Sequence, residues 1–195
     1  MRRALAVALL AATTASSACS RFEARTTSGA ADTLHSAEES LRRFRETLFS
    51  VDSLAPTFES REKVAGAFVA AIAANDGRGV IRTLMTRAEF AWLYYPGNPI
   101  SRPPYELPAG IAWFELEGNS LAGVRRALAT YGGRPVVFRD LECSGTPVLQ
   151  GANRLWNGCI VLLGQEDGSD TAVRMFGSIL ERHGRFKLLS AANDL

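Results

Sequence analysis

Glu89, Glu106, Glu115, Glu117, Asp140, Glu142 and Glu181 are the carboxylates available for proton chemistry, and any of them beside Tyr94 or Tyr105 in a dry pocket could act as a general acid or base. Nothing in their spacing singles out one pair. Glu89 follows Thr86 by three residues, as a helix cap does, and Asp140 and Glu142 alternate onto one face near the end of a strand-like run, where solvation is expected. The two histidines fall in poor places for catalysis: His35 in a tether or first helical turn, His183 in a hairpin turn. Neither a histidine-centred triad nor a histidine metal site is expected. The chain has no G-x-S-x-G, H-E-x-x-H or P-loop; GRGVIR, 77–82, lacks a third glycine and follows a helix, so no dinucleotide cofactor is expected.

Two arginines stand where apolar residues would be expected. Arg139 alternates with Val137, Leu141 and Cys143 on what reads as an inward face, and Arg154 stands beside Trp156 in the next strand. A buried arginine must be paired. The partner is either an internal carboxylate such as Glu89, Glu106 or Glu181, or an anionic ligand.

The stretch WLYYPGNPISRPPYELP, residues 92–108, holds five of the eight prolines and three of the four tyrosines. Proline lowers the entropy lost in fixing an irregular path, and large aromatic rings offer flat surface with polar tips. The stretch therefore reads as a ligand-pocket wall, a packed strap over helices, or a docking site for a partner. If it is a wall, the ligand-binding candidates are Trp92, Tyr94, Tyr95, Arg102, Tyr105 and Trp113, joined by Arg139, Arg154 and Trp156.

Cys143 and Cys159 lie in strand-like runs joined by a turn-rich segment. A hairpin centred near Gly151 would set them opposite each other. In an oxidising compartment they would form a disulfide closing a loop of about 15 residues, contributing about 3 kcal/mol in the chain-entropy model. The alternative is two small buried thiols.

The compartment is read from the start, MRRALAVALLAATTASSACS: two arginines, an apolar run from Ala4 to Ala12, then small residues. That run is shorter than the roughly 20 residues that span a bilayer, so residues 1–18 read as a cleaved secretory signal. Cleavage after Ala18 leaves Cys19 first. This resembles a bacterial lipoprotein signal, with Ser16 where that family usually has leucine, and it implies lipidation of Cys19; ordinary cleavage is the alternative. Either way the protein is exported, to the cell envelope on a lipid anchor or to the periplasm or medium, and its membrane contact is the lipid alone.

Two of the 22 basic residues lie within 1–18, which leaves 20 against 20 acidic ones. A nucleic-acid partner needs a clustered basic excess and is not expected.

The elements that must hold these residues follow from periodicity. After a polar tether, 19–33, Leu34, Leu41, Phe44, Leu48 and Val51 recur at helical spacing, with Ser36 and Glu39 as a capping box; this predicts an amphipathic helix in 34–55. Val64, Ala67, Phe68, Ala71 and Ile72 predict a second helix ending near Asn75, and Val80, Ile81 and Leu84 a short third. Thr86 and Glu89 cap another, which must stop by Pro96. Residues 118–133 predict a helix with Leu121, Val124 and Leu128 inward. From Arg134 the period becomes two, predicting strands at 134–144, 154–164, 170–181 and 185–192, the last two joined by His183-Gly184. Val137, Leu141, Val161 and Val173 fall on one face, Phe138, Trp156, Ile160, Phe176 and Leu180 on the other. A second apolar face needs either the first helix or another subunit, hence a sheet-to-sheet homodimer as an expected partner.

With SREKVAGAFVAAIAAND and GRGVIRTLM followed by four closing strands, residues 58–192 resemble the NTF2-like superfamily in layout. The resemblance implies an α+β fold, with helices packed on a curved four-stranded antiparallel sheet as a cone, in a domain spanning 56–195. It admits small-molecule isomerases and dehydratases, ligand-binding modules and dimerising scaffolds, and fold does not choose among them. The missing catalytic motifs favour an exported module that binds a small apolar or anionic ligand or an envelope protein. The alternative is an isomerase- or dehydratase-like enzyme using a carboxylate and a tyrosine in the hollow.

Overall fold

The computed structural model describes residues 36–195; the signal-like start, Cys19, the tether and His35 lie outside the described residues. Helix α1, Ala37–Arg45, starts at Ser36, whose hydroxyl accepts from the Glu39 amide. It ends ten residues before the expected limit of 55. The Glu39 carboxylate does not close a capping box but pairs with Arg42 and Arg43. Helix α2, Arg61–Ala73, is capped by Ser60 and buries Val64, Phe68 and Ile72, and α3, Gly77–Thr83, is capped by Asp76. Thr86 and Glu89 form both arms of a capping box on the short α4, Arg87–Glu89.

The chain then widens into a π-helical turn, Phe90–Tyr94, before a 3-10 turn takes in Pro96. Leu93, Tyr94 and Tyr95 are buried in succession. Neighbours in any such turn diverge by about 100°, so burying three in succession requires cover on more than one side. Helix α5, Ala109–Tyr131, begins nine residues before the expected start, straight after Pro108. Its buried positions are Ala109, Ala112, Trp113, Ser120, Gly123, Val124 and Ala127. Leu121, expected inward, is 43% exposed at the flank of this buried stripe.

The fold is α+β, as expected, but the strands form two antiparallel sheets in place of one. β1, Val137–Glu142, β4, Ile160–Gly164, and β5, Asp170–Val173, make a three-stranded sheet in the order β1-β4-β5. β2, Val148–Gln150, β3, Asn153–Trp156, β6, Ile179–Arg182, and β7, Arg185–Leu188, make the other, β2-β3-β6-β7. Two of the four expected strands, 154–164 and 170–181, each break midway and serve both sheets. The β6–β7 turn is His183-Gly184, with φ of 51° and 71°, as a two-residue hairpin of this kind requires.

The four-stranded sheet is covered on both faces by the chain itself. Ile179 and Leu188 pack with α2 residues Val64, Phe68 and Ile72 in one cluster. Leu155 and Leu180 pack with Phe44, Phe90, Tyr95 and Trp113 in the other. Burying each such side chain fully contributes roughly 1.5–3 kcal/mol. The second face that called for a partner subunit is met by α1, the 90–108 segment and the first turns of α5.

A β-bulge at Arg139 corrects the expected faces of the first strand. Phe138 pairs with Leu163 and Leu141 with Val161, and the register slips between them. Phe138 and Leu141, three apart, thus share the inner face over α2, where Phe138 packs 3.5 Å from the Cβ position of Gly66. Val137 and Arg139 are turned out to solvent.

Candidate functional site

Of the aromatic residues of 92–108, Tyr94 and Tyr95 pack inward, against Phe90, Phe44 and Trp113. Phe90 is their centre, with ring centroids 5.9 Å from Phe44 and Tyr94, 5.6 Å from Tyr95 and 5.3 Å from Trp113. The Tyr95 hydroxyl donates to the Leu107 carbonyl at 2.5 Å and closes the strap on itself. Asn153 donates to the Leu93 carbonyl and Asn98 to Gln150, which tie the strap to β3 and β2. Trp92 is half-buried under the Arg45 guanidinium, 3.9 Å from its ring, while Arg45 also donates to the Ala91 carbonyl. Arg102 donates to the Gly97 carbonyl from the surface, and Tyr105 is 68% exposed.

Of the readings open for this stretch, the packed strap describes Tyr94, Tyr95 and Trp113. Burial pushes the Tyr94 hydroxyl up to about 12, against a smaller opposing pull from Asn98, and raises Tyr95 as well. Both phenols are held neutral.

The arginine candidates lie elsewhere. Arg154 pairs across the strands with Glu181 at 3.2 Å, which agrees with an internal carboxylate partner, although the guanidinium is exposed. Glu181 also accepts from the Trp156 indole at 2.9 Å, and Arg61 stacks on that ring at 4.0 Å. Arg139 is not inward: the bulge carries it over Gly164 on the outer face, 3.9 Å from Asp170. The nine candidates thus fall into three separate places, and no common pocket gathers them.

Sequence reasoning missed Lys187. Its ammonium is fully buried and donates to both Glu89 oxygens, at 3.1 and 2.9 Å, and to the Ala55 carbonyl at 3.3 Å. Glu89 in turn accepts from the Ala55 amide, the Thr86 amide and the Thr86 hydroxyl. Every donor of the lysine is engaged, so the pair braces α4 against β7 and has nothing left to offer a substrate. Alternation hid it: Phe186 and Leu188 face α2, so a period of two reads Lys187 as the solvent-facing residue between them, and only the cover over the second face of the sheet buries it.

The concavity best suited to binding lies beside this brace. A groove of about 260 Å³ runs between the α3–α4 link and α5, lined by Ile81, Leu84, Met85, Trp113, Leu116 and Leu121. Its polar floor is satisfied, since the Ser120 hydroxyl accepts from the Ala191 amide at 2.8 Å. Leu121 joins the groove to the outer face of α5, where Ile111 and Phe114 are also exposed, Phe114 at 75%. A larger hollow along α1 is lined mainly by Glu38, Glu39, Arg42, Arg45 and Glu46, several of which neutralise one another as ion pairs. Compared with known proteins, the chain matches no family model, no curated protein and no solved structure.

Proposed function

We propose that the protein is an exported interaction module, held at the bacterial envelope through a lipid on Cys19, that receives an apolar ridge of a partner protein in the α5 groove. The observation that carries this reading is the placement of apolar surface outside a filled core: Ile81, Phe114 and Leu121 are all exposed at or beside one groove. Small-molecule sites typically enclose about 300–1,000 Å³ and bury most of the ligand. A groove of about 260 Å³ is below that range and suits one or two side chains of a helix, presented at spacings of three and four. The α+β class, with α2 and α3 ahead of antiparallel strands, is what the observed fold shares with the NTF2-like resemblance, a superfamily that includes such modules.

Panning a displayed library of peptides of about 16 residues against the full chain in mild detergent tests the reading. Enrichment of peptides with apolar residues at i, i+3 or i+4 and i+7, bound by the wild type and lost in Leu121→Asp, is the expected result. No enrichment, or binding indifferent to Leu121→Asp, would overturn it.

A further inference from the structure

The outer face of the three-stranded sheet carries a pattern that α2, on the inner face, does not use. The register places Glu142 beside Ile160, Asp140 beside Leu162 and Ala172, and Val137 beside Gly164 and Asp170. Arg139 reaches over Gly164 from the bulge. On β5 the exposed residues are Asp170 and Ala172, and Arg174 continues their alternation one residue past the strand, level with Ile160. The central strand β4 is apolar on this face, at Ile160, 40% exposed, and Leu162, while Val137, 50% exposed, lies at one end of the edge strand β1. One edge is acidic at Asp140 and Glu142, and the opposite edge is basic at Arg174, level with Glu142, while Ala172 stands level with Asp140. At the other end the signs reverse, with Arg139 towards β1 and Asp170 on β5.

We infer that this face is a self-complementary docking surface for a second copy of the chain. A two-fold axis parallel to β4 between two such faces lays β1 of one copy over β5 of the other. Ile160 then meets Ile160 and Leu162 meets Leu162. Each Glu142 meets an Arg174, and each Arg139 meets an Asp170, twice over by symmetry. Sheets packed face to face lie about 10 Å apart, a gap that long charged side chains at the rim can bridge. Glu142 has no ion pair among the described residues, so it is free for an intermolecular one. Arg174 and Arg139 pair within the chain only through exposed contacts with Asp194 and Asp170, which are weak and exchangeable. A three-stranded face spans roughly 15 by 20 Å, about 600 Å² over the two copies and below the range of stable interfaces, so the dimer is weak and concentration-dependent. The surface is distinct from the α5 groove and stands or falls independently of it.

Charge reversal with complementation tests this arrangement. Sedimentation of the full chain in mild detergent should show wild-type dimers growing across roughly 10 µM to 1 mM. Glu142→Arg alone and Arg174→Glu alone each place like charges opposite each other, and each should stay monomeric. An equimolar mixture of the two restores both opposite-charge contacts and should form a heterodimer, which also shows that both variants are folded. A wild type monomeric throughout, single variants that still self-associate, or a mixture that stays monomeric would each overturn the proposal.

Discussion

Lys187 and Glu89, 98 residues apart in the chain, meet at 2.9 Å with 0% and 2% of their side chains exposed. A buried pair of this kind offers little net stability over apolar replacements, yet losing one member leaves the other charged and unpaired. Lys187→Met should therefore destabilise by about 3–5 kcal/mol. The double variant Lys187→Met with Glu89→Gln should be less destabilised than the single, because a neutral glutamine leaves no buried charge unpaired, although its one carbonyl oxygen can replace only one of the two carboxylate oxygens that accept from Ala55 and Thr86. Urea unfolding of the two variants side by side measures the difference.

The Cys143–Cys159 disulfide joins β1 to β4 across 16 positions, next to the Glu142–Ile160 pair. Replacing both cysteines with serine should lower stability by about 3 kcal/mol. Wild-type protein should lose a similar amount on full reduction, while the double variant should be indifferent to reductant. Thermal melts with and without dithiothreitol check both statements.

Two glycines on α5 should respond to alanine in opposite directions. A Cβ on Gly123 would collide with the Ala191 carbonyl, a backbone group that cannot swing away, whereas one on Gly118 meets nothing within 4 Å. Gly118→Ala should stabilise by about 0.5–1 kcal/mol through helix propensity. Gly123→Ala should destabilise despite the same propensity gain, since α5 must shift from the C-terminal segment. Chemical denaturation of each variant reads the sign.

Burial of Tyr94 makes stability depend on alkaline pH. The unfolded phenol releases its proton near pH 10 and the folded one at about 12. Between those values the folded state keeps a proton that the unfolded state has lost, so the contribution is complete below about pH 10 and is lost as the pH rises through about 12. Tyr94→Phe should flatten this part of the stability curve, by up to about 1.4 kcal/mol per pH unit. Melting temperatures of both proteins between roughly pH 9 and 12 supply the comparison.

Features governed by near neighbours were legible in the sequence. Ser36 and Thr86 cap the helices they were expected to cap, because a hydroxyl reaches an amide three residues on whatever the fold around it. His183-Gly184 turns the last hairpin, and the midpoint near Gly151 set Cys143 against Cys159, because strand pairing about a short turn is simple counting.

Features decided by distant neighbours were not. Leu121 shares a stripe with Val124 and Leu128 wherever α5 starts; it is left exposed because the stripe that packs inward is that of Trp113, Ser120, Val124 and Ala127, with Gly123 pressed against Ala191. Arg139 lies inward by alternation, but the bulge adds a residue that only the pairing of β1 with β4 could reveal, since a slip of one position exchanges the faces of a strand. Glu89 announced itself as a cap, while its lysine partner lies on the next-to-last residue of the final strand. By itself, then, the sequence determined the caps, turns, α+β class and disulfide partners of this protein, all products of local spacing. The tertiary structure alone decided which faces are buried, which charges meet and where apolar surface remains exposed, because those depend on contacts between segments that no local period records.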